Sequence, residues 1–281
     1  MTPRWIWAED YEAMSLAGAE RAFSAIRRRL RERRPMLLGL ATGNTMLRFY
    51  ECLATVLNQS ELDLSCLRTV NLDEYVGADG RWIPEGHPLS YRGYMQKHFF
   101  GRLDPRLKMD RGNIHFPDPE RPAAIDEWIR DVGGLDFQLL GIGFNGHIGF
   151  NEPMGEATIS AEAFAKLPSR VVGLEALTIE TNARLTAGGD RSGVPRRAAT
   201  LGMGTILAAR EIVLLACFPQ QRDPLRRVWG GRVTPELPAS YLTGHADATI
   251  ICADDQVRLR DEVQASQVAR DSLAATGREA P

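Results

Sequence analysis

Three short stretches of the chain carry side chains able to move protons. Asp73-Glu74-Tyr75 follows the apolar run Leu67 to Leu72 directly. Asn145, His147 and Glu152 crowd into "GIGFNGHIGFNEP" (141–153), behind the run Leu135 to Leu140. Thr42-Gly43-Asn44-Thr45 follows Met36 to Ala41 and opens a helical pattern. An aspartate is a base. An imidazole titrating at ~6.5 suits acid–base work near neutrality, and a carboxylate five residues away can fix its tautomer. The free N–H groups at the start of a helix hold an anion, most simply a phosphate. In open parallel sheets ligands bind outside the carboxyl ends of strands, where all three stretches fall. Together they supply an anion cradle, a carboxylate base and a His–Glu pair, the parts for proton transfer on a phosphorylated small molecule.

Taken singly, each stretch has a plainer reading. Thr42 or Asn44 serves as an N-cap, Asp73 and Glu74 solvate a turn, and a lone histidine is most often a satisfied polar side chain. Gly141, Gly143 and Gly146 also spell GxGxxG. The dinucleotide fingerprint works only where a helix opens at those glycines. The next residues, His147 to Pro153, include a further glycine, an Asn and a proline, which is loop chemistry. A nicotinamide or flavin site is not expected there.

The elements that must position these residues alternate. Strands are expected at Trp5–Trp7, Met36–Ala41, Leu67–Leu72, Asn113–Phe116, Leu135–Leu140, Val171–Leu174, Glu211–Cys217 and Ala248–Cys252. Helices are expected near 9–33, 45–58, 90–100, 120–132, 178–186, 203–209 and 222–230. This pattern predicts an α/β fold: a single domain over 1–263 with a doubly wound, mostly parallel, Rossmann-like sheet and helices on both faces. The tail, 264–281, reads as helical or disordered. The stretch "NEPMGEATISAEAFAKLPSR" (151–170) lacks a sustained apolar period and is long for a connection, so it is the expected active-site lid.

With 281 residues, 44% hydrophobic and 25% charged, the chain can bury a large core. Net charge is -2, and the one basic run, "RRRLRERR" (27–34), contains Leu30 and precedes a proline. It reads as the solvated end of an amphipathic helix, not as a nucleic-acid patch. The four cysteines (Cys52, Cys66, Cys217, Cys252) form no CxxC and no zinc spacing, so reduced thiols and no metal are expected. No apolar stretch approaches the ~20 residues that span a bilayer, and the first residues do not read as a secretory signal. A cytoplasmic protein without membrane or nucleic-acid partners is expected.

The segments "LGLATGNT", "TVNLDEYVG", "HPLSYRGYMQKHFF", "LLGIGFNGHIGFNEP" and "VPRRAATLGMGTILAAREIVLL" closely resemble the glucosamine-6-phosphate deaminase (isomerase) family, from about Gly39 to Ala253 and in family order. The resemblance implies an aldose–ketose isomerisation coupled to loss of ammonia: glucosamine 6-phosphate and water give fructose 6-phosphate and ammonium, with no metal or organic cofactor. By position Asp73 matches the base that carries the proton from C2 to C1. His147 matches the group that assists ring opening, and Glu152 the carboxylate that orients it. Asn145 stands where many relatives have Asp; the shorter-chain bacterial branch that the chain resembles also carries Asn there. Thr42, Gly43, Asn44 and Thr45 match the phosphate loop, which usually reads Thr-Gly-Gly-Thr-Pro, so a side chain replaces a glycine at Asn44. Arg184 in "TNARL" matches a phosphate-binding arginine.

The family places a phosphate-binding lysine where this chain has Gln221, and Arg222 is the neighbouring cation that would restore the charge. Loss of one cation weakens a contact worth about 1.5–3 kcal/mol. These departures leave open a different amino sugar, with an altered or absent phosphate. The region after Pro153 departs from the basic allosteric site of longer relatives, so no such regulation is expected. The implied partner is a small-molecule amino-sugar phosphate, and homo-oligomerisation is left open. A 6-phosphogluconolactonase shares a related glycine-rich loop but lacks "NLDEYVG" and "FNEP". A non-catalytic sugar-phosphate sensor would be free to discard Asp73, His147 and Glu152, all kept here.

Overall fold

A computed structural model describes residues 2–266. The strands are β1 (Arg4–Ala8), β2 (Met36–Leu40), β3 (Leu67–Asn71), β4 (Asp73–Val76), β5 (Ile114–His115), β6 (Phe137–Leu140), β7 (Arg170–Gly173), β8 (Arg197–Thr200), β9 (Ile212–Ala216) and β10 (Ala248–Ala253). The helices are α1 (Tyr11–Arg31), α2 (Leu47–Asn58), α3 (Tyr91–His98), α4 (Ala124–Asp131), α5 (Ala161–Ala165), α6 (Ala176–Leu185), α7 (Met203–Leu207), α8 (Arg222–Trp229) and α9 (Asp254–Val257), followed by a helical stretch from 260. The expected tail begins inside that stretch, and 267–281 lie outside the described residues.

Seven strands form one parallel sheet in the order β1-β10-β9-β6-β2-β3-β5. Every residue of β2, β9 and β10 is buried, as expected where helices cover both faces. From β2 the chain builds outward to β3 and β5, then returns to add β6 on the other side. The strand order therefore reverses between β2 and β6. Connections leaving neighbouring strands in opposite directions open a crevice at that point, and the loops after β2 and β6 flank it.

Helix α1 starts at Asp10, whose carboxylate accepts from the Ala13 N–H at 2.8 Å, and ends in Arg28, Arg29 and Arg31. Acid at the first turn and base at the last both oppose the helix dipole. The basic run is the solvated end of the helix, as its sequence suggested, with only Arg29 and Leu30 partly covered. Arg29 pairs with Asp136 at 2.8 Å and Arg21 with Glu211 at 2.8 Å, which ties α1 to the starts of β6 and β9.

A second, three-stranded antiparallel sheet, β4-β8-β7, went unread in the sequence. Asp73-Glu74-Tyr75 is not a loop. After the single residue Leu72 the chain re-enters a strand, with Asp73 opposite Thr200. Likewise β7 was expected in the main sheet but belongs to this smaller one.

Segment 151–170 does not form the expected lid. Its helix α5 buries Phe164 against Met203 and Tyr241, stacked on the tyrosine at 5.4 Å. Ser169 donates to Asp126 at 2.6 Å, and Arg170 donates to Asn151 at 2.8 Å. Gly202 lets this segment approach, because a Cβ there would lie 2.1 Å from the Leu167 carbonyl oxygen and 2.2 Å from the Pro168 carbonyl carbon. Backbone on both sides cannot yield, so Gly202→Ala should destabilise by about 1–3 kcal/mol, read as a lower thermal midpoint. An unchanged midpoint would show that the 167–168 backbone gives way freely.

Candidate active site

The carboxyl ends of β2, β3 and β6 meet at a cavity of about 180 Å³. At ~30 Å³ per water that is room for roughly six waters, the bulk of one monosaccharide. Thr42 to Met46, Asp73, Asn145, His147 and Gln221 all line it, and α6 closes one side with Leu177, Thr178, Thr181, Asn182 and Leu185. Helix α6, not segment 151–170, is the wall that overhangs the crevice.

Asp73 opens β4 within one residue of the end of β3, so strand pairing fixes its backbone on both sides. It is 6% exposed. Burial, and then the neighbouring Glu74 charge, push its carboxyl well above the ordinary aspartate range. Glu74 points away and is fully buried. Its carboxylate accepts from the Ser90 hydroxyl (2.9 Å), the Tyr91 N–H (3.0 Å) and the Arg92 N–H (2.9 Å), and Arg92 pairs with it at 3.3 Å. An anion at the start of α3 satisfies donors that the helix cannot. It also fixes the Pro88–Tyr91 wall of the cavity to the strand bearing Asp73.

The glycines of 141–146 serve the histidine. No helix opens there. A Cβ on Gly143 would fall 2.3 Å from the His147 ring, so the bare backbone lies flat against the imidazole. Gly146 turns the chain at φ +89°, where a side chain would also strike Leu237 at 2.3 Å.

His147 Nδ1 lies 3.1 Å from Glu152 Oε2. The same oxygen accepts from the Asn145 amide at 2.8 Å, and Glu152 Oε1 accepts from the Thr178 hydroxyl at 2.6 Å. The backbone N–H of Glu175, at the start of α6, reaches Oε1 at 3.4 Å. Burial alone would raise the Glu152 carboxyl, but the His147 hydrogen bond and charge, with Thr178 and Asn145, outweigh it and hold it down at about 2. A fixed carboxylate beside Nδ1 selects the tautomer protonated there and leaves the Nε2 lone pair for a ligand. Sequence reasoning missed Thr178 because it reads only as the start of a helix. Its direction toward Glu152 is set by packing.

The Thr42–Thr45 turn is pinned through its carbonyls. Tyr94 donates to the Gly43 oxygen at 2.8 Å and Tyr11 to the Asn44 oxygen at 3.1 Å, while Gly43 takes φ +109°. Three expected phosphate ligands are not delivered. Arg184 is exposed and is not among the residues that line the cavity. Arg222 is exposed and pairs with Glu262. Gln221 does reach the wall, but its amide is consumed within the protein: Oε1 accepts from the Cys217 and Phe218 N–H groups, both within 2.9 Å, and Nε2 donates to the Ile142 carbonyl at 2.8 Å.

All four cysteines are free, and burial pushes the Cys217 thiol up to about 11. Among the described residues no His/Cys/Asp/Glu group of three or more is arranged to hold a metal ion, and no helix is long and apolar enough to cross a membrane.

The model of the glucosamine-6-phosphate isomerases/6-phosphogluconolactonase family matches residues 9–150. A glucosamine-6-phosphate deaminase of Clostridium perfringens is 36% identical over 91% of this chain and 99% of its own. One from Rhodopirellula baltica is 38% identical over 90% and 94%. A solved structure described as a monomeric glucosamine-6-phosphate deaminase superposes with a TM-score of 0.76 at 31% identity, covering 89% of this chain and 96% of that one. A 6-phosphogluconolactonase from Thermotoga maritima shares the fold at 18% identity and a TM-score of 0.63.

The depressed Glu152 carboxyl makes a pH prediction with a definite sign. A carboxyl lowered by folding contributes stability above the unfolded value of ~4.3 and loses it as pH falls toward about 2. Glu152→Gln should therefore unfold at lower urea than the parent at pH 7, with the gap closing as pH falls from ~4.3 to about 2. A gap independent of pH would mean that the charge does not hold the site together.

Proposed function

The chain belongs to the glucosamine-6-phosphate isomerase/6-phosphogluconolactonase family, and from the site it carries we propose that it is an isomerising deaminase, converting glucosamine 6-phosphate and water to fructose 6-phosphate and ammonia. The observation that carries this reading is the pair of carboxylates in opposite environments around one cavity, one buried and proton-avid, the other fully hydrogen-bonded behind an imidazole. Such a pair divides the work of base and charge stabiliser.

The steps follow from the chemistry each group can perform. His147 Nε2 takes the proton of the C1 hydroxyl and returns it to the ring oxygen as the C1–O5 bond breaks, leaving an open-chain aldehyde. The imidazolium formed in between is stabilised by Glu152, itself held by Asn145 and Thr178. Asp73 then removes the proton on C2 while the substrate ammonium gives a proton to O1, forming an enol-amine, and Asp73 delivers the C2 proton to C1. The product is an imine at C2. Water adds there and ammonia leaves, giving the ketose. Apart from the proton carried from C2 to C1, the net change is one water in and one ammonia out.

No group among the described residues donates a hydrogen bond to the Asp73 carboxylate, so nothing in the protein competes for its lone pairs. That freedom suits a base that must abstract and return one proton. Lactone hydrolysis has no use for a base that moves hydrogen between adjacent carbons.

Asp73→Asn should keep the fold and lower kcat by about 10²–10⁴-fold. It should also abolish exchange of the C2 hydrogen with solvent deuterium, followed by NMR; persistent exchange would assign the base elsewhere. For the parent, kcat/KM should fall on the acid side at a pH above the ordinary aspartate value of ~3.9, since the base must be ionised to act. An acid limb at or below that value would contradict the environment assigned to Asp73.

A further inference from the structure

The cavity holds no cation to meet a phosphate. Among the described residues lining it there is neither lysine nor arginine, and its one acidic lining residue is Asp73. Of the three arginines next in sequence to lining residues, Arg92 is paired with Glu74, Arg222 with Glu262, and Arg184 is exposed outside the lining. The wall joining the Thr42–Thr45 turn to α6 and β9 is instead Met46, Phe144, Leu185 and Phe218, with the aromatic pair in edge contact at 5.9 Å. Leu185 is tied to the turn through its carbonyl, which accepts from the Asn44 amide at 3.3 Å. Gln221, the polar group in that sector, has both amide ends engaged by backbone. The turn offers a ligand hydroxyls and N–H groups, all neutral.

A dianion entering such a wall gives up hydration for the helix-start N–H groups of the turn alone, with no lysine or arginine in the lining, and it lies in the same cavity as an aspartate. A hydroxymethyl group there loses little and packs against apolar carbon. Resting on the deaminase reading above, we infer that this site also takes 2-amino sugars that are uncharged at C6, and deaminates free glucosamine alongside its 6-phosphate. The reaction balances as before: the C1–O5 bond breaks, the C2 proton moves to C1, water oxygen replaces nitrogen on C2, and ammonia leaves with fructose as product. No oxidant or reductant is needed. Asp73, His147 and Glu152 act at C1, C2 and the ring oxygen and never touch C6, so the chemical steps survive the missing phosphate.

The test measures ammonia release by the purified full chain with glucosamine 6-phosphate and with glucosamine, each over a range of concentrations. Without a charge-assisted contact to the phosphate, kcat/KM for glucosamine should lie within about 100-fold of that for the ester. Inorganic phosphate up to tens of millimolar should leave glucosamine turnover unchanged. Turnover of the ester with glucosamine inert, or competitive inhibition by submillimolar phosphate, overturns the inference and leaves the deaminase reading intact. Ammonia from neither substrate overturns that reading, and the inference with it.

Discussion

The site turns on one buried carboxylate. Glu152 draws hydrogen bonds from Asn145 and His147 on the loop after β6, and from Thr178 and the Glu175 N–H at the start of α6. A charge that deep is tolerated only where donors surround it, because leaving one lone pair bare costs more than a hydrogen bond contributes. The loop and the helix are therefore held to one another through this side chain. The imidazole is fixed as a consequence, pressed on its other face by the backbone of Gly143. Removing the carboxylate would free both the ring and the helix wall.

Asp73 is built on the opposite principle. Burial and the adjacent Glu74 both disfavour its charge, and no donor among the described residues offsets them. The acidic pair in "DEY" thus splits into two jobs by direction alone. Alternation along β4 sends one carboxylate toward the cavity and the next toward α3, where the helix start and Arg92 absorb it. Two adjacent acids that look like a solvated turn in the sequence are one proton carrier and one structural anchor.

Much of this was legible in the sequence. The six longer strands of the main sheet declare themselves as apolar runs, and the rule that ligands sit at their carboxyl ends brings Thr42, Asp73 and His147 to one edge before any coordinates. The failures had physical reasons. β4 (DEYV) opens on two carboxylates and β8 (RAAT) on an arginine and two small residues, so neither declares an apolar run, and both pair outside the main sheet. The polar stretch 151–170 hides one fully buried apolar anchor, Phe164, which docks it together with the Ser169 and Arg170 hydrogen bonds. Arg184 was misplaced because a motif gives a position on a helix, not the reach of a side chain: successive residues on α6 point about 100° apart, and Leu185 lines the cavity while Arg184 does not.

The same distinction decides how Gln221 should be understood. Read as a substituted ligand, a glutamine in an anion site still offers an N–H. In its surroundings that N–H is already given to the Ile142 carbonyl, while its oxygen caps two N–H groups at the end of β9. The residue has become part of the scaffold that shapes the loop after β9, including the turn that places Phe218 in the wall. Putting a lysine back at 221 would strand the Cys217 and Phe218 N–H groups that the amide oxygen now satisfies. The neutrality of this wall is therefore built into the backbone of the site, and a single charged substitution does not undo it.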